Sequence, residues 1–132
     1  MFMRKRIVAN FLQPFPGKAI VDPLMKTMYN DCDSSTKPEL RKLAKPQGYN
    51  VFLTPAPAPC WADDGFNGRR CYIRCEKDQC IPVQAQDAWL TSCGVEWDVA
   101  TFETGHMPFT SQPEMTANRI EKWIQGFVSK PL

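Results

Sequence analysis

The chain has 132 residues, with 43% hydrophobic and 23% charged side chains, which is typical of one globular domain. A formal net charge of +2 is too small to indicate a nucleic-acid-binding protein, and the basic run at residues 4–6 is typical of a solvated terminus. The apolar run at residues 7–12 is too short for a signal peptide or a membrane span, so we expect a cytoplasmic protein with no membrane partner.

The chain divides into two parts of different composition. Residues 1–59 are proline-rich, and long helices or strands are not expected there because proline fixes φ and removes a backbone donor. We expect residues 1–20 to be poorly ordered and residues 54–59, where prolines alternate, to form an extended spacer. Residues 60–132 show regular hydrophobic patterns and form the ordered part of the predicted fold.

Two short helices are predicted within the first part. One covers residues 22–29. The other follows Thr36, because Thr36 and Glu39 match a capping box with a proline in the first turn. Leu40 and Leu43 then give this second helix an apolar edge.

The second part is predicted to form a strand–helix–strand–helix unit. A strand over residues 70–75 precedes a helix that begins at Pro82 and ends at Ser92, and a second strand covers residues 95–102. A crossover of this length implies that the two strands are parallel. The fold class is therefore α/β, with a C-terminal parallel βαβα unit.

The last predicted helix opens at a second capping box, formed by Ser111 and Glu114. Apolar residues recur along it at helical spacing, and we assign this stripe to the protein core rather than to a cofactor site. The stripe consists of Met115, Ile120, Trp123, Ile124 and Phe127.

Six cysteines occur without any C-x-x-C pair: Cys32, Cys60, Cys71, Cys75, Cys80 and Cys93. One histidine cannot complete a zinc site of the usual kind, so we expect no metal, no other cofactor, and reduced structural thiols. Cys71 and Cys75 fall on one face of the first predicted strand, as small core residues do. A small cysteine-rich metal protein is the weaker alternative, and metal analysis of the purified chain tests it.

Two polar residues follow the predicted strands where open α/β sheets carry their chemistry. Asp78 comes after the first strand and His106, the single histidine, after the second, so both are expected in loops at the carboxyl ends of parallel strands. An acid followed by a histidine is the second half of the order Ser…Asp…His found in α/β-hydrolases. Glu76, Asp87 and Glu103 are rival acids, and their positions in the chain favour Asp78.

Several segments in this region form a recognisable pattern. They are Phe52-Leu53-Thr54-Pro55, Trp61-Ala62-Asp63, Tyr72-Ile73-Arg74-Cys75 with Asp78, Ile81-Pro82, Gln86, and Gly105-His106-Met107-Pro108-Phe109 with Ser111-Gln112-Pro113. Together they resemble the C-terminal part of fungal α/β-hydrolases of the esterase and hydroxynitrile-lyase-like group. The resemblance implies a partial α/β-hydrolase fold in which Asp78 is the catalytic acid, His106 is the catalytic base, and residues 22–60 match the end of the cap.

The chain departs from this family in what it lacks. Members are about twice as long, and their N-terminal half supplies the oxyanion loop and the serine of the nucleophile elbow. No G-x-S-x-G motif occurs in these residues, and Ser111 is better explained as a helix cap. The other serines, which are Ser34, Ser35, Ser92 and Ser129, also lack elbow context, as do the cysteines. We therefore expect the chain to be inactive alone.

Two hypotheses about function stay open. In the first, the chain is a truncated hydrolase whose parent cleaves a small-molecule ester, thioester or related carbonyl bond, in secondary metabolism by resemblance. In the second, it is a non-catalytic binding or regulatory module derived from a hydrolase. A half-sheet exposes a strand edge and an apolar face, so a complementary hydrolase half or a second copy is the expected partner.

Overall fold

The computed structural model describes residues 12–15, 18–21 and 23–129. The elements of the first part are β1 (Leu12–Phe15), β2 (Lys18–Val21), α1 (Leu24–Thr27), α2 (Lys37–Leu43) and β3 (Gln47–Gly48). The three strands form a small antiparallel sheet in which β2 lies in the middle and pairs with β1 on one side and β3 on the other. Short 3₁₀ turns follow at Tyr49–Phe52, Cys60–Ala62 and Asp64–Phe66.

Strands β1 and β2 fall largely within residues 1–20, where no strand was predicted and where poor order stays a prediction. They pair antiparallel, with Leu12 opposite Val21 and Phe15 opposite Lys18. Residues 1–11, 16 and 17 lie outside the described residues. Pro14 is compatible with this sheet because β1 is an edge strand, where proline is tolerated.

The two predicted helices of the first part are present, with differences at their ends. Helix α1 is shorter than the predicted range of residues 22–29. Helix α2 begins where predicted, but the capping box is wrong, because the Thr36 side chain makes no capping bond. Its hydroxyl instead donates to the Asp33 carbonyl at 2.9 Å, within the preceding turn.

The second part forms the parallel unit that the sequence predicts. Its elements are β4 (Cys71–Cys75), α3 (Val83–Ser92), β5 (Asp98–Phe102), α4 (Pro108–Ser111) and α5 (Pro113–Val128). Strands β4 and β5 pair in parallel from Cys71 opposite Asp98 to Cys75 opposite Phe102. Helix α3 ends before Gly94, whose φ of 66° is a conformation that glycine adopts without steric cost.

The hydrophobic core lies between this two-stranded sheet and α5. Ala100 and Phe102 of β5 are buried against Trp123, and Cys71, Ile73 and Phe127 pack around them. The strand residues share one face because paired residues of parallel strands project to the same side. Arg119 closes the edge of this core by lying 4.5 Å over the Trp123 ring and bonding Asp98 at 3.0 Å.

The apolar stripe of α5 is only partly in the core. Trp123 and Phe127 pack as predicted, but the prediction is wrong for Met115, Ile120 and Ile124, which are 40%, 43% and 53% exposed. The reason is that the described sheet beneath α5 has two strands, which cover only a narrow strip of the helix. Among the described residues, no helix combines the length and apolar character needed to cross a bilayer.

The second capping box is also wrong. Ser111 does not open the long helix but is the last residue of α4, and its hydroxyl lies 3.5 Å from the Met107 carbonyl. Gln112 precedes α5 and makes no side-chain capping bond, while Pro113 stands at the first helical position. Proline suits that position because the missing N–H would have no helical partner there.

Candidate active site

Asp78 lies in the turn that joins β4 to α3, and its carboxylate is held from two directions. One oxygen, Oδ1, accepts hydrogen bonds from the backbone N–H groups of Cys80 at 2.7 Å and Ile81 at 2.9 Å. These bonds close the turn and leave Oδ2 directed elsewhere. The residue is buried, with 9% of its surface exposed.

His106 follows β5 and meets Asp78 through its ring. Nδ1 lies 2.9 Å from Oδ2 of Asp78, and the histidine side chain is 21% exposed. With the proton on Nδ1, the ring donates to the carboxylate and leaves the Nε2 lone pair free to accept a proton. Among the described residues, no hydrogen bond engages Nε2. The contact predicted from the sequence between these two residues is therefore present.

The parallel sheet brings the two loops together. Beyond the last paired residues of β4 and β5, the backbones stay joined, because Glu76 N donates to Phe102 O and Lys77 N donates to Thr104 O, each at 2.9 Å. Asp78 and His106 come directly after this extension. The carboxyl ends of adjacent parallel strands are where α/β sheets hold reactive side chains.

The rival acids are engaged elsewhere. Asp87 binds the Arg74 guanidinium through both oxygens, at 2.7 and 3.0 Å, and Arg74 holds the pKa of this carboxyl below its usual value. Glu76 pairs with the same arginine at 3.2 Å. Glu103 pairs with Lys77 at 3.2 Å on the surface.

No hydrogen bond joins a serine to His106 among the described residues. The Ser92 and Ser129 hydroxyls donate to carbonyls of their own helices, and Ser111 does so at the limit of hydrogen-bond distance. Ser34 and Ser35 lie exposed in the turn before α2. The positions outside the described residues hold no serine, threonine or cysteine.

The thiols near the site are poor nucleophiles. Burial, and secondarily the Asp78 carboxylate, raises the pKa of the Cys80 thiol to about 11. Burial is also the main cause that raises the pKa of Cys75. None of the six cysteines forms a disulfide, and no group of three metal-ligating side chains occurs among the described residues. Thiolates, which are the reactive form, are therefore scarce beside Asp78 at neutral pH.

Gln86 is a supporting residue whose role the sequence pattern did not reveal. Its side chain is fully buried, and Nε2 donates to the carbonyls of Cys75 and Ile81, each at 2.9 Å. Its Oε1 accepts from the Cys75 N–H at 3.0 Å. These bonds tie α3 to the end of β4 on both sides of Asp78. The only sequence signal was its place in the resemblance to hydrolases.

A cavity of about 370 Å³ lies away from this pair, at the opposite end of the strands. Arg70, Trp97, Asp98, Arg119 and Trp123 are among the residues that line it, whereas Asp78 and His106 are not. Asp98 and Arg70 stand where β5 begins and just before β4, so this cavity is at the amino ends of the strands. It is separate from the candidate active site.

Solved structures that are similar to this chain in fold include hydrolases. A pyrethroid hydrolase matches with a TM-score of 0.73 and 19% identity over 94% of this chain and 50% of that one. A pyrethroid hydrolase from Sphingobium faniae matches with a TM-score of 0.72 and 21% identity, over 89% of this chain and 48% of the other. Polyneuridine aldehyde esterase matches with a TM-score of 0.64 and 22% identity, over 84% and 46%.

The sequence itself matches no protein-family model and no curated protein. The likeness is therefore one of fold. The chain spans about half the length of each of these structures. Its described residues accordingly share the fold of about half of each of these structures.

Proposed function

We propose that this chain carries the acid and base of a serine-type hydrolase site, with Asp78 orienting His106 and His106 acting as general base. The observation that supports this most strongly is the 2.9 Å contact between Nδ1 and Oδ2, which leaves Nε2 unengaged. The contact stands at the carboxyl ends of adjacent parallel strands, in a fold shared with esterases and hydrolases.

The chemistry follows from the direction of these bonds. The carboxylate accepts the Nδ1 proton, which fixes the tautomer in which Nε2 has a free lone pair. Nε2 then removes the proton of an attacking hydroxyl, and the resulting imidazolium is stabilised by Asp78. The same proton passes to the leaving-group oxygen as the tetrahedral intermediate collapses, which re-forms the carbonyl and breaks the ester C–O bond.

The nucleophile and the oxyanion donors have to come from another polypeptide segment. No serine or cysteine of this chain is placed to react, as described above, and no elbow motif occurs in the sequence. The chain alone is therefore inactive in this proposal. A natural place for the complementary segment is the edge of β4 that faces away from β5, since β4 pairs only with β5 among the described strands.

The substrate class is a small-molecule ester or related carbonyl compound. The support is the combination of a serine-type acid–base pair with fold neighbours named as an esterase and as pyrethroid hydrolases. The unengaged Nε2 of His106 would receive the nucleophile, and the walls of the substrate pocket would come largely from the complementary segment.

Reconstitution tests the proposal. The chain is mixed with the nucleophile-bearing half of a structural neighbour such as pyrethroid hydrolase, and hydrolysis of p-nitrophenyl esters is followed. His106→Ala and Asp78→Asn are each expected to lower the restored turnover by about 10⁴-fold or more, as loss of a triad member does elsewhere.

Glu103→Gln is the matched control, because it removes a nearby carboxylate that is bonded to Lys77 rather than to the histidine. We expect this variant to stay within about twofold of the unmodified chain, since surface substitutions away from the site have small effects. Restored turnover that survives His106→Ala would show that this histidine is not the base.

A further inference from the structure

The turn between α1 and α2 touches both loops of the candidate site. Asn30 donates through Nδ2 to the carbonyl of Lys77 at 2.9 Å, and Lys77 directly precedes Asp78. Asp31 accepts through Oδ2 from the N–H of Gly105 at 2.6 Å, and Gly105 directly precedes His106. Two consecutive residues thus hold the backbone immediately before the acid and immediately before the base.

The turn lies so close to the backbone before His106 that position 105 has room only for glycine. A Cβ on Gly105 would lie 2.5 Å from Oδ1 of Asp31 and closer still to Oδ1 of Asn30. Neither oxygen belongs to the end of a flexible chain, since both side chains are fixed by the bonds above. The fit is therefore one of direct packing as well as hydrogen bonding.

Asn30 and Asp31 each bury a polar oxygen in a way that lowers the stability of the fold. Oδ1 of Asn30 and Oδ1 of Asp31 are buried and have no hydrogen-bond partner among the described residues. Burying polar oxygens without partners is unfavourable, and for a carboxylate it is more so. Local costs of this kind concentrate at functional sites, where geometry matters more than stability.

We propose that Asn30 and Asp31 are positioning residues, which set the separation of Asp78 and His106 by holding the backbones of Lys77 and Gly105. Neither touches the reacting atoms. The catalytic consequence rests on the proposed function, whereas the effect on the Asp78–His106 contact does not. A displacement of about 1 Å between a catalytic acid and its base is enough to lower turnover by about 10²-fold.

The test uses the single histidine of the chain as a spectroscopic probe. In the ¹⁵N-labelled 132-residue chain, the Nδ1–H signal of His106 reports its bond to Asp78. Asp31→Ala is expected to make this proton exchange with water about tenfold faster, because opening of the pair becomes easier. Asp31→Asn keeps an accepting oxygen for Gly105 and is expected to restore slow exchange.

Asp33→Ala is the control, because Asp33 is exposed in the same turn and its carboxylate bonds Ser35 rather than the site. It should leave the His106 signals unchanged. If Asp31→Ala does not fold, Asn30→Ala replaces it, since that variant removes only the bond to Lys77. A His106 signal that is unchanged in a folded Asp31→Ala or Asn30→Ala variant would overturn the proposal.

Kinetics of the reconstituted enzyme separate this proposal from the proposed function. Asp31→Ala should lower kcat by about 10²-fold with little change in KM, because a displaced base affects the chemical step. If turnover requires His106 but is insensitive to Asp31→Ala, positioning fails and the proposed function stands. If the His106 signal depends on Asp31 but no turnover is ever restored, the positioning of the pair stands and the function fails.

Discussion

Asp78 serves as a turn residue and as the partner of His106 at the same time. A carboxylate that only closed a turn would use Oδ1 for the backbone N–H groups of Cys80 and Ile81 and leave Oδ2 toward water. Here Oδ2 meets Nδ1 of His106 at 2.9 Å. The backbone bonds hold the carboxylate in place, so the fold itself fixes the direction of Oδ2.

This arrangement predicts that the tautomer of His106 depends on Asp78. In Asp78→Asn, the amide oxygen can keep the Cys80 and Ile81 bonds, which turns the amide nitrogen toward Nδ1. Since that nitrogen is a donor, Nδ1 must accept, and the ring proton moves to Nε2. Long-range ¹H–¹⁵N correlation of the neutral imidazole measures this change, with Asp87→Asn as the control. An unchanged tautomer would mean that the two residues do not interact in solution.

Cys80 provides a second residue-level prediction, from its raised pKa of about 11. Peptide mapping after iodoacetamide treatment should show Cys80 reacting slowly near pH 8 and faster as the pH approaches 11. Asp78→Asn removes the carboxylate that contributes to the shift, so the midpoint of the reactivity profile should fall. A midpoint at the ordinary thiol value of about 8.5 in the unmodified chain would contradict the buried environment.

The same shift has a consequence for stability. The folded-state pKa of Cys80 lies above the unfolded value, so its contribution to stability is complete below about pH 9 and is lost as the pH rises toward 11. Cys80→Ala should therefore lose less stability than the unmodified chain over this range. Chemical denaturation at several pH values measures the difference, and identical pH profiles would contradict the prediction.

At the scale of elements, the Gln86 side chain of α3 makes the hydrogen bonds to the end of β4 that a neighbouring strand would otherwise make. Glu76 bonds β5, so the N–H and carbonyl of the adjacent Cys75 point to the opposite edge of β4. Gln86 bonds both groups there and also bonds Ile81. The carboxamide thereby closes the β4 edge next to Asp78, while Cys71 and Ile73 have no strand partner on that side among the described residues.

Loss of this carboxamide should destabilise the domain. Gln86→Ala leaves the Cys75 and Ile81 groups without their partners, and each buried unsatisfied group costs about 1–3 kcal/mol. We expect a loss of about 2–4 kcal/mol in urea unfolding. Gln84→Ala, on the exposed side of the same helix, should cost less than about 0.5 kcal/mol. Equal effects of the two substitutions would contradict this role for Gln86.

The βαβα elements were predictable because their signals are local. Apolar alternation, Pro82 and Gly94 mark their ends within a few residues, and the crossover length implies parallel strands. The Asp78–His106 contact was predicted from that topology together with the resemblance to α/β-hydrolases. The capping boxes failed because Thr36 and Ser111 bond carbonyls of their own turns instead.

Some contacts between residues far apart in the chain could not be predicted from the sequence. The pairing of β1 with β2 was missed because prolines weakened the strand signal, although an edge strand accepts proline. The Asp31–Gly105 bond joins residues 74 positions apart and follows no sequence period. The prediction for the outer face of α5 was wrong because Ile120 and Ile124 have the helical spacing of core residues, yet the other described residues do not cover them and both stay exposed.

At the scale of the whole molecule, large apolar side chains remain on the surface. Leu43, Leu53, Phe109 and Val128 are more than 60% exposed, and the outer edge of β4 is only partly closed. Exposed apolar groups beside an open strand edge favour association. The arrangement agrees with a chain that has about half the length of its structural neighbours.

We therefore expect the isolated chain to associate at micromolar concentration. Light scattering should give a mass above the 15.1 kDa of one chain. Ile124→Lys should reduce association because it places a charge on the exposed apolar face of α5, whereas Gln125→Lys adds the same charge at a position that is already polar and should not. A monomer at every concentration would contradict the need for a covering partner.

The central claim is that this chain holds the acid and the base of a hydrolase site without its nucleophile. The most direct measurement is the hydrolysis of p-nitrophenyl acetate by the purified 132-residue chain alone. We predict a rate no greater than that of free imidazole at the same concentration, with no saturation, because the sequence has no G-x-S-x-G elbow and the proposal assigns the oxyanion donors to another segment. Saturable hydrolysis that disappears on Ser→Ala or Cys→Ala substitution at one position would contradict the claim.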